Sequence, residues 1–180
     1  MKFTETSLKD CFIIEPDIFS DDRGSFQEAF NQKKYEDSLN RKLTFVQDNC
    51  SISKKNVLRG MHFQNNNPQG KLVMVTFGEV FDVAVDLRKN SKSYGKWFSA
   101  ILSHSNGKQL WIPEGFAHGF FVISEQAHFS YKCTDFYNPS DEVCLAWDDK
   151  NISINWPCKD PVVSKKDSNG LSLKDIEKII

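Results

Sequence analysis

The sequence predicts an all-β protein, a sandwich or barrel of the jelly-roll kind with only short helices at its periphery. Some ten short segments carry the alternating or continuous apolar pattern of β-strands, with turn-forming residues between them. Only residues 31–42 and the end of the chain show a helical pattern. Fifteen Phe and four Trp are suited to an aromatic β core or an aromatic-lined pocket. These features favour antiparallel sheets over α/β layers.

The elements follow from the pattern of apolar and turn residues along the chain. Residues 20–24 form a turn by composition, after which Phe26 and Glu28 share one face of a strand. Near the end, Ser172 and Asp175 have the spacing of a capping box that opens a helix reaching about Ile180. Strands are predicted at residues 11–14, 25–30, 45–52, 57–64, 71–77, 80–87, 97–103, 109–112, 118–123, 127–134 and 142–147.

Length and composition limit the classes of protein. We expect residues 1–180 to form a single domain, since no linker, repeat or low-complexity run interrupts them. The formal charge of −1 offers no basic field for nucleic acid or an anionic membrane. Five cysteines without a C-x-x-C pair are typical of reduced thiols. With no apolar leader and no run of transmembrane length, a cytoplasmic protein is expected.

The most informative stretch is residues 57–64, which reads as a strand with polar side chains at Arg59, His62 and Gln64. Strands that only build a core use apolar residues, so we interpret this one as the wall of a binding cavity with His62 as a general base. On a regular strand, Arg59 and His62 would point to opposite faces. We therefore expect a local irregularity at Gly60 that turns both toward the cavity.

Two of the four histidines lie within apolar strands. A single such residue is ordinarily a hydrogen-bonded part of the core, and His104 and His128 are interpreted as surface or structural residues. His62 and His118 together with Lys71 and Tyr131 are harder to explain in this way, because each buried polar group costs stability unless it is paired or serves a site.

Two kinds of site remain possible from the residues alone. A cupin-like metal site normally has a His-x-His pair, which is missing here because Phe63 and Gln64 follow His62. The alternative is metal-free proton transfer, with histidine as base, tyrosine as acid and a lysine or histidine beside a developing oxyanion. The spacing of these residues does not prove that they converge.

The segment from Arg59 to Gln64, Arg-Gly-Met-His-Phe-Gln, resembles the signature of the dTDP-4-dehydrorhamnose 3,5-epimerases. Met61 stands where leucine is usual, which conserves volume, and Val163 also replaces a usual leucine. The resemblance covers nearly the whole chain, in matching order, at residues 19–28, 47–49, 59–64, 69–73, 82–88, 109–120, 131–135, 156–157 and 164–167.

The resemblance implies a cupin-type double-stranded β-helix (jelly roll) without metal or organic cofactor. It implies an isomerase that converts dTDP-4-dehydro-6-deoxy-D-glucose to dTDP-4-dehydro-L-rhamnose in dTDP-L-rhamnose biosynthesis, and so in polysaccharide formation. It also implies a homodimer in which the segment from Arg23 to Glu28 reaches the partner's site. An early strand that adds to a neighbouring subunit would also cover a sheet edge.

Residue roles are implied by matching positions. The catalytic residues would be His62 as base, Asp167 as its carboxylate partner, Tyr131 as the acid on the opposite ring face, and Lys71 beside the C4 oxygen. The substrate-binding residues would be Arg23, Phe26, Glu28, Gln47, Asn49, Arg59, His118, Glu142 and Lys166.

The chemistry agrees with these residues, since a ketone at C4 acidifies the protons at both C3 and C5. The substrate is then its own electron sink, and a base on one face with an acid on the other inverts each carbon. Two alternatives stay open. One is a mono-epimerase acting at C3 or C5 of a related nucleotide-linked 4-keto-6-deoxy sugar. The other is a non-catalytic cupin that binds sugar nucleotides.

Overall fold

Antiparallel strands dominate the computed structural model, which describes residues 1–180. In chain order the elements are β1 Lys2–Glu5, β2 Phe12–Glu15, β3 Ile18–Asp21, β4 Gly24–Gln27, α1 Gln32–Leu39, β5 Gln47–Lys54, β6 Leu58–Gln64, β7 Lys71–Phe77, β8 Glu79–Asp86, β9 Trp97–Ser103, β10 Gln109–Ile112, β11 Phe116–Val122, β12 Gln126–Cys133, β13 Glu142–Cys144, a 3-10 turn Asp167–Asn169 and α2 Leu173–Ile176.

Two large sheets form the sandwich. The six-stranded sheet has the order β1-β2-β10-β7-β12-β5, and the five-stranded sheet has the order β13-β6-β11-β8-β9. Strands β3 and β4 form a separate hairpin. The prediction of an all-β jelly roll with short helices is confirmed, because non-consecutive strands alternate between two packed antiparallel sheets.

Successive side chains of a strand point to opposite faces of its sheet, so each sheet has two faces to cover. One buried cluster lies between the two sheets, and a further cluster lies on the outer face of each sheet. Val73 and Phe129 of the larger sheet pack in the same buried cluster as Ala84 and Phe120 of the smaller one. Helix α1 covers the outside of the six-stranded sheet, where Tyr35 is fully buried. The C-terminal segment covers the outside of the five-stranded sheet. The cavity described below opens within the inner layer.

Both helices begin where their capping residues predict and end earlier than expected. Asn31 caps α1, which stops at Leu39 because Asn40 adopts a left-handed conformation with φ 49°. Ser172 accepts a hydrogen bond from the amide of Asp175, as in the predicted capping box, but α2 ends at Ile176 and a turn follows. A bilayer crossing needs a helix of about 20 residues, and neither helix approaches that length.

The structure corrects the prediction at the N-terminal end of the chain. Strands β1 and β3 were not expected, and the predicted turn at residues 20–24 is the narrower tip of the β3–β4 hairpin. Strand β4 ends at Gln27, so Glu28 does not share a strand face with Phe26. Glu28 instead accepts hydrogen bonds from Lys34 and Asn31 at the start of α1.

The expected irregularity at Gly60 is confirmed. Opposite β11, His62 pairs with His118 while Arg59 pairs with Phe120, so β6 contains one residue more than its partner in this interval. Gly60 has φ +119°, and a Cβ there would lie 2.6 Å from the Cα of Gly119. Both the positive φ and the lack of space for a Cβ require glycine at this position. The extra residue lets Arg59 and His62 line the same cavity.

Candidate active site

A cavity of about 510 Å³ opens between the two sheets. Seven residues predicted for the site line its wall, supplied by five strands or segments that are distant in sequence. They are Arg59, His62, Lys71, His118, Tyr131, Lys166 and Asp167. The polar side chains thus converge around one space large enough for a sugar ring.

His62 and Asp167 form a close pair although they are 105 residues apart. The Nε2 atom of His62 lies 2.7 Å from Oδ1 of Asp167, whose side chain is 5 % exposed. Burial alone would raise the pKa of the Asp167 carboxyl, but the hydrogen bond and charge of His62 hold it below its ordinary value. An ionised carboxylate can only accept, so Nε2 carries a proton and Nδ1 of neutral His62 presents a lone pair.

Lys71 begins β7 and is buried in the cavity wall. Its ammonium lies 3.5 Å from the carbonyl oxygen of His62, longer than an ordinary hydrogen bond, so its donors remain available to a ligand. Burial lowers the pKa of Lys71, while the charges of nearby acids oppose that shift. When protonated, the side chain therefore places a positive charge in the wall of the cavity.

Tyr131 lies on β12 with its side chain on the inner face, next to Phe129. Burial raises the pKa of Tyr131 to about 12, with smaller contributions from the charges of Cys133 and Glu142. The phenol therefore keeps its proton at neutral pH and can act as a proton donor.

His118 belongs to a second buried carboxylate–imidazole pair that sequence reasoning missed. Its Nε2 lies 2.8 Å from Oδ1 of Asp82, which is fully buried and has its other oxygen unpaired. The available signal was an acid within the apolar run of β8. Arg59, the neighbouring cation of the wall, donates from Nε to Ser53 at 2.9 Å and keeps its other nitrogens free.

Lys166 lies in the cavity wall and contacts Glu142, which does not line the cavity itself. Glu142 Oε1 lies 3.9 Å from His62 Nδ1, and the hydroxyl of Tyr137 donates to Oε2 at 2.8 Å. Burial would raise the pKa of Glu142, but Lys166, Tyr137 and His62 hold it below its ordinary value. Tyr137 was not among the predicted site residues, because nothing in its local sequence indicates this contact.

Gln47 and Asn49 continue the inner face beside the cavity without lining it. Asn49 pairs with Tyr131 across the β5–β12 ladder, so the two side chains share a face. Gln47 donates to the Asn49 side chain and accepts from the amide of Tyr137. These amides extend a polar strip outward from Ser51, which is part of the cavity wall.

The three remaining predicted residues do not reach the cavity of their own chain. Arg23, at the tip of the β3–β4 hairpin, has an 89 % exposed side chain bound to Asp21. Phe26 is 70 % exposed, and Glu28 is paired with Lys34. Within one chain, their predicted contact with substrate is therefore not formed.

One group of potential metal ligands occurs near the site, formed by His62, Asp167 and Cys144. The 2.7 Å separation of Nε2 and Oδ1 is that of a hydrogen bond, whereas two ligands of one tetrahedral zinc lie about 3.3 Å apart. Burial and the charge of Asp167 raise the pKa of the Cys144 thiol to about 12, which disfavours the thiolate a metal needs. The arrangement suits proton transfer better than metal binding.

The sequence was compared with protein families and with individual known proteins. The model of the family described as dTDP-4-dehydrorhamnose 3,5-epimerase matches residues 5–175. The chain belongs to this family. A dTDP-4-dehydrorhamnose 3,5-epimerase from Shigella flexneri is 51 % identical over 181 residues, which span 100 % of both chains.

Solved structures of the epimerase family have the same fold. The enzyme from Legionella pneumophila, in complex with dTDP-4-keto-L-rhamnose, superposes with a TM-score of 0.96 at 47 % identity, covering 99 % of this chain and 96 % of that one. A 3'-monoepimerase from Streptomyces bikiniensis, in complex with dTDP-quinovose, reaches a TM-score of 0.91 at 27 % identity, over 96 % and 88 % of the two chains. A 3'-monoepimerase and a 3,5-epimerase therefore share the fold of this chain.

Proposed function

We propose that this chain is a dTDP-4-dehydrorhamnose 3,5-epimerase that converts dTDP-4-dehydro-6-deoxy-D-glucose to dTDP-4-dehydro-L-rhamnose. The observation that carries the proposal is the His62–Asp167 pair facing a cavity that also contains Tyr131 and Lys71. The identity of 51 % to a relative of that name, over the full length of both chains, supports the same activity.

The base in this reaction is His62. The ketone at C4 acidifies the neighbouring C–H bonds, so His62 Nδ1 takes a proton from C3 or C5 and leaves an enolate. Asp167 holds the imidazole through Nε2 and stabilises the imidazolium that forms. The Lys71 ammonium stabilises the negative oxygen at C4. Because the substrate carries its own electron sink, no step of this sequence calls on an organic cofactor.

Tyr131 returns a proton to the carbon from the opposite face of the ring, which inverts the centre. The raised pKa of Tyr131 keeps the phenol protonated until the enolate forms beside it. Repeating abstraction and return at the second carbon gives the 3,5-inverted product. Arg59 and His118 contact the diphosphate and sugar, while Gln47 and Asn49 contact the nucleoside.

We propose a homodimer in which Arg23, Phe26 and Glu28 complete the partner's nucleotide site. The β3–β4 hairpin exposes Ile18, Phe19 and Phe26 together, which supports this, since a cluster of exposed apolar side chains is typical of an interaction surface. Sedimentation equilibrium should give twice the chain mass of 20.7 kDa. A monomer that binds dTDP with undiminished affinity would rule out the shared site. Five cysteines that form no disulfide with one another support a cytoplasmic location.

The activity is tested by incubating the protein with dTDP-4-dehydro-6-deoxy-D-glucose and following the sugar by proton NMR. We expect the coupling pattern of a product inverted at both C3 and C5. Inversion at a single carbon would identify a mono-epimerase, which the shared fold of the Streptomyces bikiniensis enzyme makes the relevant second candidate. An unchanged sugar that still binds would indicate a non-catalytic binding protein.

A further inference from the structure

His62 must lose a proton between the two inversions if, as the proposed function requires, it is the base for both. Each abstraction turns the imidazole into an imidazolium, which cannot remove another proton. The His62 side chain is 27 % exposed and lines the cavity. A sugar bound in that cavity separates the base from bulk water, so the proton needs an acceptor next to the imidazole.

Asp167 does not pass the proton on to water. Its carboxylate is buried, and its neighbours are His62, the buried amide of Gly60 and the hydroxyl of Ser164. Apart from His62 itself, none of these neighbours is an acid or base that titrates near neutral pH. A proton that moved from His62 to Asp167 would therefore have only the imidazole as a titratable acceptor.

Glu142 lies near the ring nitrogen of His62 that is not bound to Asp167. Strand β13 pairs with β6 so that Cys144 stands opposite His62, and Glu142, two residues earlier, points to the same face. This brings Oε1 to 3.9 Å from Nδ1, the nitrogen that Asp167 leaves free. The other oxygen of Glu142 meets the hydroxyl of Tyr137 and the ammonium of Lys166. Tyr137 and Lys166 are both exposed at the surface.

We propose that Glu142 carries the proton from His62 to bulk water between the two inversions, and so returns the base to its neutral form. The residue acts through His62 and needs no contact with the reacting carbons. Glu142 is the carboxylate that joins the imidazole to exposed groups.

The proton transfers balance at each step. The C–H electron pair stays on the sugar as the enolate, and the proton joins the lone pair of His62 Nδ1. That proton then passes to Oε1 of Glu142, which leaves a neutral imidazole and a neutral carboxylic acid. The acid releases the proton to water. Tyr131 gives its hydroxyl proton to the carbon and regains one from water, so each inversion exchanges one substrate proton for one solvent proton.

The surroundings of Glu142 suit a transient carrier. A carboxylate accepts a proton far more readily than a neutral water molecule does. The depressed pKa of Glu142, to which Lys166 and Tyr137 contribute, keeps the group ionised at neutral pH and ready to release what it takes up. The 3.9 Å gap exceeds a hydrogen bond by about 1 Å, a distance that a small rotation of either side chain closes.

The test is single-turnover NMR and rapid quench with the full chain in excess over dTDP-4-dehydro-6-deoxy-D-glucose. An enzyme concentration well above the Kd of each variant binds all of the substrate and so removes the effect of weaker binding. In Glu142→Gln we expect the second inversion to slow at least about tenfold more than the first, so that a singly inverted sugar accumulates. Raising imidazole buffer at constant pH and ionic strength should restore the second step in Glu142→Gln and leave the wild type unchanged.

A second variant distinguishes the loss of a proton acceptor from a change in side-chain length. Glu142→Asp keeps a titratable carboxylate but shortens the chain, whereas Gln keeps the length and loses the proton acceptor. The relay predicts a faster second inversion in Asp than in Gln, and the surface variant Glu125→Gln should behave as the wild type. Equal slowing of both inversions without buffer rescue, or Gln outperforming Asp, would overturn the relay. A wild type that inverts neither carbon would instead overturn the proposed function.

Discussion

Replacing His62 with alanine is expected to lower the rate of epimerisation by about 10³-fold or more while the protein still binds dTDP. A positioned general base contributes about 10² to 10⁴ in rate, and in the proposed mechanism His62 is the base for both inversions. Nucleotide contacts assigned to Gln47 and Asn49 lie farther along the sheet face and do not depend on the imidazole. The measurements are a coupled assay of product formation and calorimetric titration with dTDP.

The matched control for that variant is His128→Ala, which removes an imidazole from outside the cavity. It should retain activity within about twofold of the wild type. Full activity of His62→Ala would remove His62 from its role as base. Loss of both activity and dTDP binding would point instead to a structural role for the His62–Asp167 pair.

The second large effect is expected at Lys71. Lys71→Met keeps much of the side-chain volume and removes the charge beside the C4 oxygen. Loss of one group that stabilises an oxyanion costs about 10² to 10³ in kcat, so we expect a fall in that range with little change in KM. The control is Lys54→Met, which removes an exposed lysine and should leave the rate unaltered.

The pH dependence of the rate tests whether Lys71 acts as a charged group. Burial lowers the pKa of Lys71, so wild-type activity should fall on the alkaline side at a pH below the ordinary lysine value of 10.5. Tyr131, with a pKa of about 12, keeps its proton in this range. The alkaline limb should therefore disappear in Lys71→Met. A limb that persists unchanged would assign it to another group.

Stability should move in the opposite direction from activity in the Lys71 variant. A lysine with a lowered pKa in the folded state binds protons more weakly there than in the unfolded chain, so it destabilises the fold most at low and neutral pH. Removing it should leave the thermal midpoint unchanged or higher at pH 7. A large fall in the midpoint would mean that the rate loss reflects unfolding.

Much of the fold follows from local periodicity, as the bounds of β7, β9 and β10 illustrate. Apolar alternation and turn residues mark these strands because each has a buried face. The missed strands β1 and β3 are short and mostly exposed, so their side chains carry no such signal. Backbone pairing with β2 and β4 defines them instead.

The site was less accessible to sequence reasoning than the fold. Residue types suggested proton transfer, but only family resemblance joined His62 to Asp167, because 105 residues and an irregular tail separate them. The approach of Glu142 to His62 depends on the register of the three-residue strand β13, which no periodicity reveals. The Asp82–His118 pair likewise depends on tertiary contacts between neighbouring strands.

The most direct test of a base and an acid on opposite ring faces is the reaction run in D2O. The account predicts one deuterium at C3 and one at C5 of every product molecule, because each returned proton comes from solvent through Tyr131. Loss of proton NMR intensity at both positions, together with a mass increase of two, would agree with it. Product formed with deuterium at one carbon, or with none, would contradict it.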